Sequence, residues 1–378
     1  MQKKLIVLAI AAALTSPALA LAEDSVVAAP VAAPVVAAPA AAKPNFTVYG
    51  KVFLNAESAS NDKTGTPASK RINNDASRFG IKGSEDLGDG LKALFQYEVQ
   101  FDANGNATNG LGNGTRNSGV GLEGEFGKAI IGNWDTPFKV AHNKTELFDN
   151  TTSFSALNLI GRANTVTATG VAGNGGVNYN TRQKNMIQYW SPKLSGFQAA
   201  VSYSPDSAQT ATVNKTLTSL SGTYDVDAVY VALAFESRAD QTITGRKDSA
   251  TRLTGRYNLG DFWVGATAEG LKVNTTTAAS YNQKNFELVG QYILDKETIG
   301  LSFAKAGKTN VANTGARQVS LRLGHNFSAR TEVFAAYTRL TNETAGLYGF
   351  NSSAIQGTAA QQLGAKQTAL GLGVIHNF

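Results

Sequence analysis

The chain has 378 residues, with 34 basic against 28 acidic side chains, 38 glycines, no cysteine and a mean hydropathy of −0.16. Such a profile is too polar for a bundle of membrane helices and too apolar for a disordered chain, and its mild basicity is not that of a nucleic-acid binder. A chain that crosses an oxidising compartment also gains from carrying no thiols to mispair.

Residues 1–22 read as a secretory signal peptide. "MQKK" is a basic start, "LIVLAIAAAL" an apolar run too short to span a bilayer comfortably, and Ala20-Leu21-Ala22 a small-x-small cleavage site before Glu23. Removal takes Lys3 and Lys4 from the 34 basic residues and leaves 32 against 28 acidic, a net +4. Residues 23–45 open with "EDSVVAAPVAAPVVAAPAAAKP", an Ala/Val/Pro repeat with no core-facing period. It is expected to be a semi-extended periplasmic tether, either a passive spacer or a contact to the peptidoglycan wall.

From Phe46 to Phe378 the pattern has period 2. In "LKALFQYEVQFD" the residues Leu91, Ala93, Phe95, Tyr97, Val99 and Phe101 share one face, while Lys92, Gln96, Glu98, Gln100 and Asp102 share the other. Similar runs, some weaker, recur to the end of the chain and predict about 16 strands. Very short links such as "EDLGDG", "GK" at 127–128, "LGD" at 259–261 and "LDKE" alternate with long polar ones, including 136–184 and 341–366. Short turns at one rim and long loops at the other describe a transmembrane barrel whose turns face the periplasm. Pro67, Pro137, Pro192 and Pro205 all fall in proposed loops or strand ends, where no ladder donor is lost.

Hydrocarbon leaves no partner for an open strand edge, so an exported chain of this kind spans only as a closed sheet. The fold class expected is all-β, a transmembrane antiparallel up-and-down β-barrel of about 16 strands occupying residues 46–378. A soluble β-sandwich would alternate too, but strands of roughly ten residues with no second apolar layer favour the membrane. Within this reading the final run "LGLGVIHNF" is a strand with one apolar face ending on Phe378 at the periplasmic aromatic girdle.

Four segments carry a family resemblance: "FTVYGKV", "SRFGIKGSEDLGDGLKALFQYE", "GNWDTPF" and the terminal "HNF". Over residues 46–378 the chain resembles the trimeric general porins of Gram-negative outer membranes, the β-proteobacterial branch in particular. The resemblance implies a 16-stranded barrel, a homotrimer and a third loop folded into each pore. It also implies acidic residues on that loop, which fall on Glu146 and Asp149 of "KTELFDN", and a facing ladder of basic residues on the barrel wall. These fall on Lys51 in "YGK", Arg78 in "SRFG", Arg116 in "TRNS" and Arg162 in "IGR". In an unbroken strand the parity of Arg116 would also put Val120 and Leu122 in the lumen, a conflict that a bulge or a displaced alignment would produce.

The residues themselves support part of this. Residues 137–181 show no sustained strand pattern, and so long a loop in a compact domain is usually functional. Lys51 has inward parity, as do Arg252, Arg256 and Arg322, which are read as general lumen lining. Phe378 is read as the signal for the outer-membrane insertion machinery, and the small residues of "RNSGVGLEGEFG" as a trimer contact.

Other motifs carry no chemistry. "EDLGDG" lacks the alternating ligands of a calcium loop, "GNGG" lacks the Lys-Ser/Thr of a phosphate cradle, and His142, His325 and His376 have no metal-ligand spacing. No catalytic residue, metal or cofactor is expected. The function expected is a water-filled, weakly anion-selective channel for passive diffusion of small hydrophilic solutes, in contact with outer-membrane lipids and lipopolysaccharide and with no nucleic-acid partner. A structural or adhesive barrel and a barrel enzyme are the alternatives.

Overall fold

A computed structural model describes residues 45–63, 68–105, 111–149, 151–167, 170–350 and 362–378. The signal peptide at 1–22 and the tether at 23–45, its final Asn45 excepted, lie outside the described residues. Asn45 is already part of the first strand.

In chain order the strands are β1 (Asn45–Asn61), β2 in two segments (Ser69–Asn74 and Arg78–Gly88), β3 (Leu91–Phe101), β4 in two segments (Leu111–Thr115 and Ser118–Gly124) and β5 (Gly127–Asp135). After the third loop come β6 (Arg182–Trp190), β7 (Phe197–Ser204), β8 (Leu217–Val226), β9 (Val229–Ala239), β10 (Lys247–Leu259) and β11 (Phe262–Asn274). The set ends with β12 (Ser280–Leu294), β13 (Glu297–Ala306), β14 (Ala316–Ser328), β15 (Thr331–Asn342) and β16 (Lys366–Asn377). Every strand pairs antiparallel with its neighbour, and β16 closes on β1 from Lys51↔Asn377 to Asn61↔Gln367, so the 16 strands form a barrel without edges.

The alternation of the sequence becomes an inverted protein. Along β10, Leu253 and Tyr257 are about half exposed on the outer face, while Arg252 and Thr254 are fully buried toward the lumen. Outward apolar side chains suit hydrocarbon, and inward polar ones are satisfied by each other and by the loop inside. At the periplasmic rim the terminal Phe378 is tied down. Its N–H donates to the Gly50 carbonyl at 3.1 Å, its carbonyl accepts from Gly50 N–H at 3.0 Å, and any side chain at Gly50 would collide with its ring.

Two details differ from the sequence reading. The turn expected on "GK" falls one step earlier, on Glu125–Phe126, and Gly127–Lys128 open β5. The third loop, expected to lack strands, contains a hairpin of Arg162–Thr167 against Gly170–Asn178 besides a short helix α1 (Pro137–Val140) and a 3₁₀ turn (Ala156–Asn158). Gly- and Thr-rich strands that lie within a loop carry no apolar alternation, so period gives no sign of them.

That loop is the hydrophobic core. Phe138, Phe154, Leu159 and Ile160 are fully buried against inward faces of the barrel. Ala232, Ala234 and Ala250 receive Phe138, and Ala304, Ala306 and Ala316 receive Leu159 and Ile160. Small inward residues on that side make the room the loop fills.

Candidate functional site

The loop leaves its apolar packing at Asp149, whose backbone has a φ of 67°. This left-handed conformation is one that Asp tolerates better than most residues. It points the carboxylate at the wall formed by β1 and β2, where Asp149 bonds the Lys51 ammonium and lies 3.9 Å from the Arg78 guanidinium. Burial alone would raise the Asp149 carboxyl, but the nearby Lys51 and Arg78 charges outweigh it and hold it below the usual range.

A second carboxylate continues the network. Glu98 on β3 is 3.9 Å from Arg78, accepts from Arg116 Nε at 2.5 Å and accepts from the Tyr49 hydroxyl at 2.9 Å. Arg116 reaches it because β4 is interrupted at Arg116 and Asn117, and its backbone N–H donates to Glu98 O at 2.7 Å. Beyond that break the parity resets, and Val120 and Leu122 face outward, 61% and 41% exposed. A bulge thus separates the inward Arg116 from its apolar neighbours.

A third group stands next along the wall. Asp135, the last residue of β5, pairs with Lys139 of α1 at 2.6 Å and with Arg182 of β6 at 3.1 Å, and Arg182 Nε donates to Asn117 Oδ1 at 2.6 Å. Sequence reasoning overlooked Glu98, Asp135, Lys139 and Arg182 as site residues. The wet-face parity of Glu98 was the available signal; Arg182 and Lys139 depend on where the loop leaves and rejoins the barrel.

The other expected residues lie elsewhere. Arg162 stands on the loop hairpin and not on the barrel wall; its Nε donates to Leu157 O at 2.9 Å, its carbonyl accepts from Gln283 at 2.8 Å, and burial pushes its guanidinium down to about 10. Glu146 does not face the basic wall. It accepts from Ser155 Oγ at 2.8 Å and Phe148 N–H at 3.0 Å, and lies 3.9 Å from His142, whose Nε2 is 2.6 Å from Glu287. Burial pushes the Glu146 carboxyl up, and the Glu287 charge adds to the rise against the opposing His142 and hydrogen bonds. These partners of Glu146 lie within the loop, and it is His142 that carries the contact on to Glu287 of β12.

The site is therefore a band of alternating charge on the wall of β1–β6, faced by the loop tip. Lys51, Arg78, Arg116, Lys139 and Arg182 interleave with Asp149, Glu98 and Asp135. Such a band of fixed charge can attract, repel and orient ions.

Comparison with known proteins agrees with this architecture. The profile of the Gram-negative porin family matches residues 9–345. Outer membrane porin protein 32 of Delftia acidovorans is 26% identical over 351 residues, covering 90% of this chain and 95% of the relative. Major outer membrane protein P.IB of Neisseria sicca is 25% identical over 354 residues, covering 82% and 94%. Among solved structures, the anion-selective porin from Comamonas acidovorans superposes with a TM-score of 0.75 at 22% identity, over 89% of this chain and all of that one. A trimer form of OmpT from Vibrio cholerae gives 0.63 at 16% identity, over 89% and 99%. With a closed barrel, an inward loop and a family profile covering most of its length, the chain belongs to the Gram-negative porins and forms a channel in the outer membrane.

Proposed function

We propose that the charged band between β1–β6 and Asp149 is the constriction of the pore, and that the channel passes small hydrophilic solutes by diffusion with a weak preference for anions. The observation that carries this reading is the charge balance of the ion-paired band, in which five cationic groups meet three carboxylates and leave +2 among these eight groups, with the buried Asp75 behind them bonded by the Asn55 amide. Two net charges roughly 8 Å from an ion in water-like dielectric amount to about 1 kcal/mol, a preference of roughly fivefold before screening. Salt near physiological strength reduces it further, because the Debye length there is about 8 Å. The description of the Comamonas porin as anion-selective supports the sign. Zero-current potentials across a KCl gradient test it: chloride preference is expected, and a channel that clearly favours potassium overturns the reading.

The chain is further read as a homotrimer assembled through its early strands and its last one, as the trimer form of the Vibrio relative suggests. On β4 and β5 the outward residues are Val120, Leu122 and Ile131, so the contact rests on these apolar side chains, while Gly119 and Gly121 hold the alternate positions. Native electrophoresis in mild detergent without boiling should show the trimer. Residues 1–22 act as the export signal and 23–45 as the tether. Phe378 serves the insertion machinery, and its deletion should leave misassembled chains in the periplasm; normal yields of heat-modifiable membrane protein after deletion would reject that role. No catalytic role is proposed.

A further inference from the structure

On the periplasmic side of the charged band the same wall holds a concavity of about 320 Å³, near the lower end of the ~300–1,000 Å³ typical of small-molecule sites. Leu94 and Ile130 give it an apolar floor, and Lys82, Lys128 and Trp134 stand among the rest of its lining. Trp134 meets Trp190 edge to face, with ring centroids 6.3 Å apart. Only three tryptophans occur in the chain, and these two stand at inward positions of β5 and β6. Indoles are usually gathered at the lipid interface of a barrel, where one end is apolar and the other wet. Placing two of them inside, against water, is unfavourable unless something else covers them.

Charge narrows what that could be. The Lys128 ammonium lies 4.1 Å from the centre of the Trp190 ring, so that face already has its cation. Lys82 is placed likewise, 5.1 Å from the Tyr49 ring. Across the strands Lys92 stands between Asp86 and Glu123, and Glu123 also faces Lys128; with Lys82, three ammonium groups meet two carboxylates. Gln188, opposite Ile130, is 1% exposed, and neither atom of its amide has a hydrogen-bond partner in the protein. A cationic ring would compete with lysines already in place, and a small inorganic anion would leave the indoles uncovered.

We infer that this concavity is a transient binding site for monoanionic aromatic carboxylates, with the ring against Trp134 and the carboxylate on Lys128 and Lys82. The inference rests on the channel reading above and deepens it by naming a solute class. It places an aromatic acid beside the constriction, where the next step is exchange onto the Arg116 and Arg78 charges.

Single channels in planar bilayers test it, with sodium benzoate as the probe and sodium acetate and benzyl alcohol as controls. Benzoate should give saturable, concentration-dependent interruptions of the KCl current, with an apparent affinity roughly tenfold above that of acetate. Trp134→Ala, which removes the indole that the ring rests on, should abolish that tenfold difference. Should that variant form no channels, Lys128→Gln serves in its place: benzoate affinity falls severalfold and benzyl alcohol affinity does not. Open channels in which benzoate and acetate behave alike, or in which both variants bind benzoate as the natural protein does, overturn the site. A protein that forms no conducting channel at all would instead defeat the channel reading.

Discussion

Two walls of one lumen treat charge in opposite ways. On the side of β9–β15, where the loop packs, each arginine of the buried set has one carboxylate: Arg238 with Glu236 at 2.6 Å, Arg252 with Glu269 at 2.9 Å and Arg322 with Glu332 at 2.7 Å. Arg252 is fully buried, lies 4.1 Å from the Phe138 ring centre and donates to Phe138 O at 3.1 Å. In the ion-paired band of β1–β6 five cations meet three carboxylates, and parts of the network are spaced at 3.9 Å. The difference follows from what covers each wall. Taking an unpaired charge out of water is expensive, so each arginine that the loop buries is matched by a carboxylate. A wall that water still reaches can keep a surplus, and that surplus is what a passing ion senses.

The sharpest way to break this contrast is to unbalance the covered wall. Arg252→Leu strands Glu269 beneath the loop and should destabilise the barrel by about 3–5 kcal/mol, read as a lower temperature of conversion to the unfolded band on electrophoresis. Adding Glu269→Gln should recover much of that loss. If single and double variants melt together, neutrality is not what the covered wall requires.

A smaller effect is expected on the open wall. Arg78→Ser with Arg116→Ser removes two charges there and should move the zero-current potential toward potassium by an amount on the order of 1 kcal/mol. Asp149→Asn should move it toward chloride. Arg162→Ser, which alters the loop hairpin, should move it less than either. A larger shift from Arg162 than from the Arg78/Arg116 pair would show that the governing charge lies on the loop.

The smallest effect is that of acid. Asp149, held below the ordinary value of 3.8, contributes its full stabilisation above that pH and loses it as pH falls through its lower folded value. Glu146 works in the opposite sense: raised above 4.5, it costs stability at higher pH, and that cost is relieved as pH falls through its folded value. Acidification should therefore leave the loop anchored until below about 3.8 and then increase current noise, which Asp149→Asn should show already at neutral pH. Noise that begins near neutrality in the natural protein would place the sensitive group elsewhere.

The period-2 alternation determines that this chain forms a sheet with one apolar and one polar face, and export into a membrane leaves a closed barrel as the way to satisfy its backbone. Strand number and the rim at which the short turns lie follow from the same pattern, because every strand repeats it. The inward parity of Lys51 was legible for the same reason. What the tertiary structure decided are the places where local period carries no information: the two-residue break that turns Arg116 inward while Val120 and Leu122 stay outward, and the path of the third loop. Glu146 and Asp149 are three residues apart on one loop, yet one is buried against His142 and the other meets Lys51 and Arg78. Nothing in "KTELFDN" separates them, since which carboxylate faces water depends on the wall that the folded loop brings opposite each.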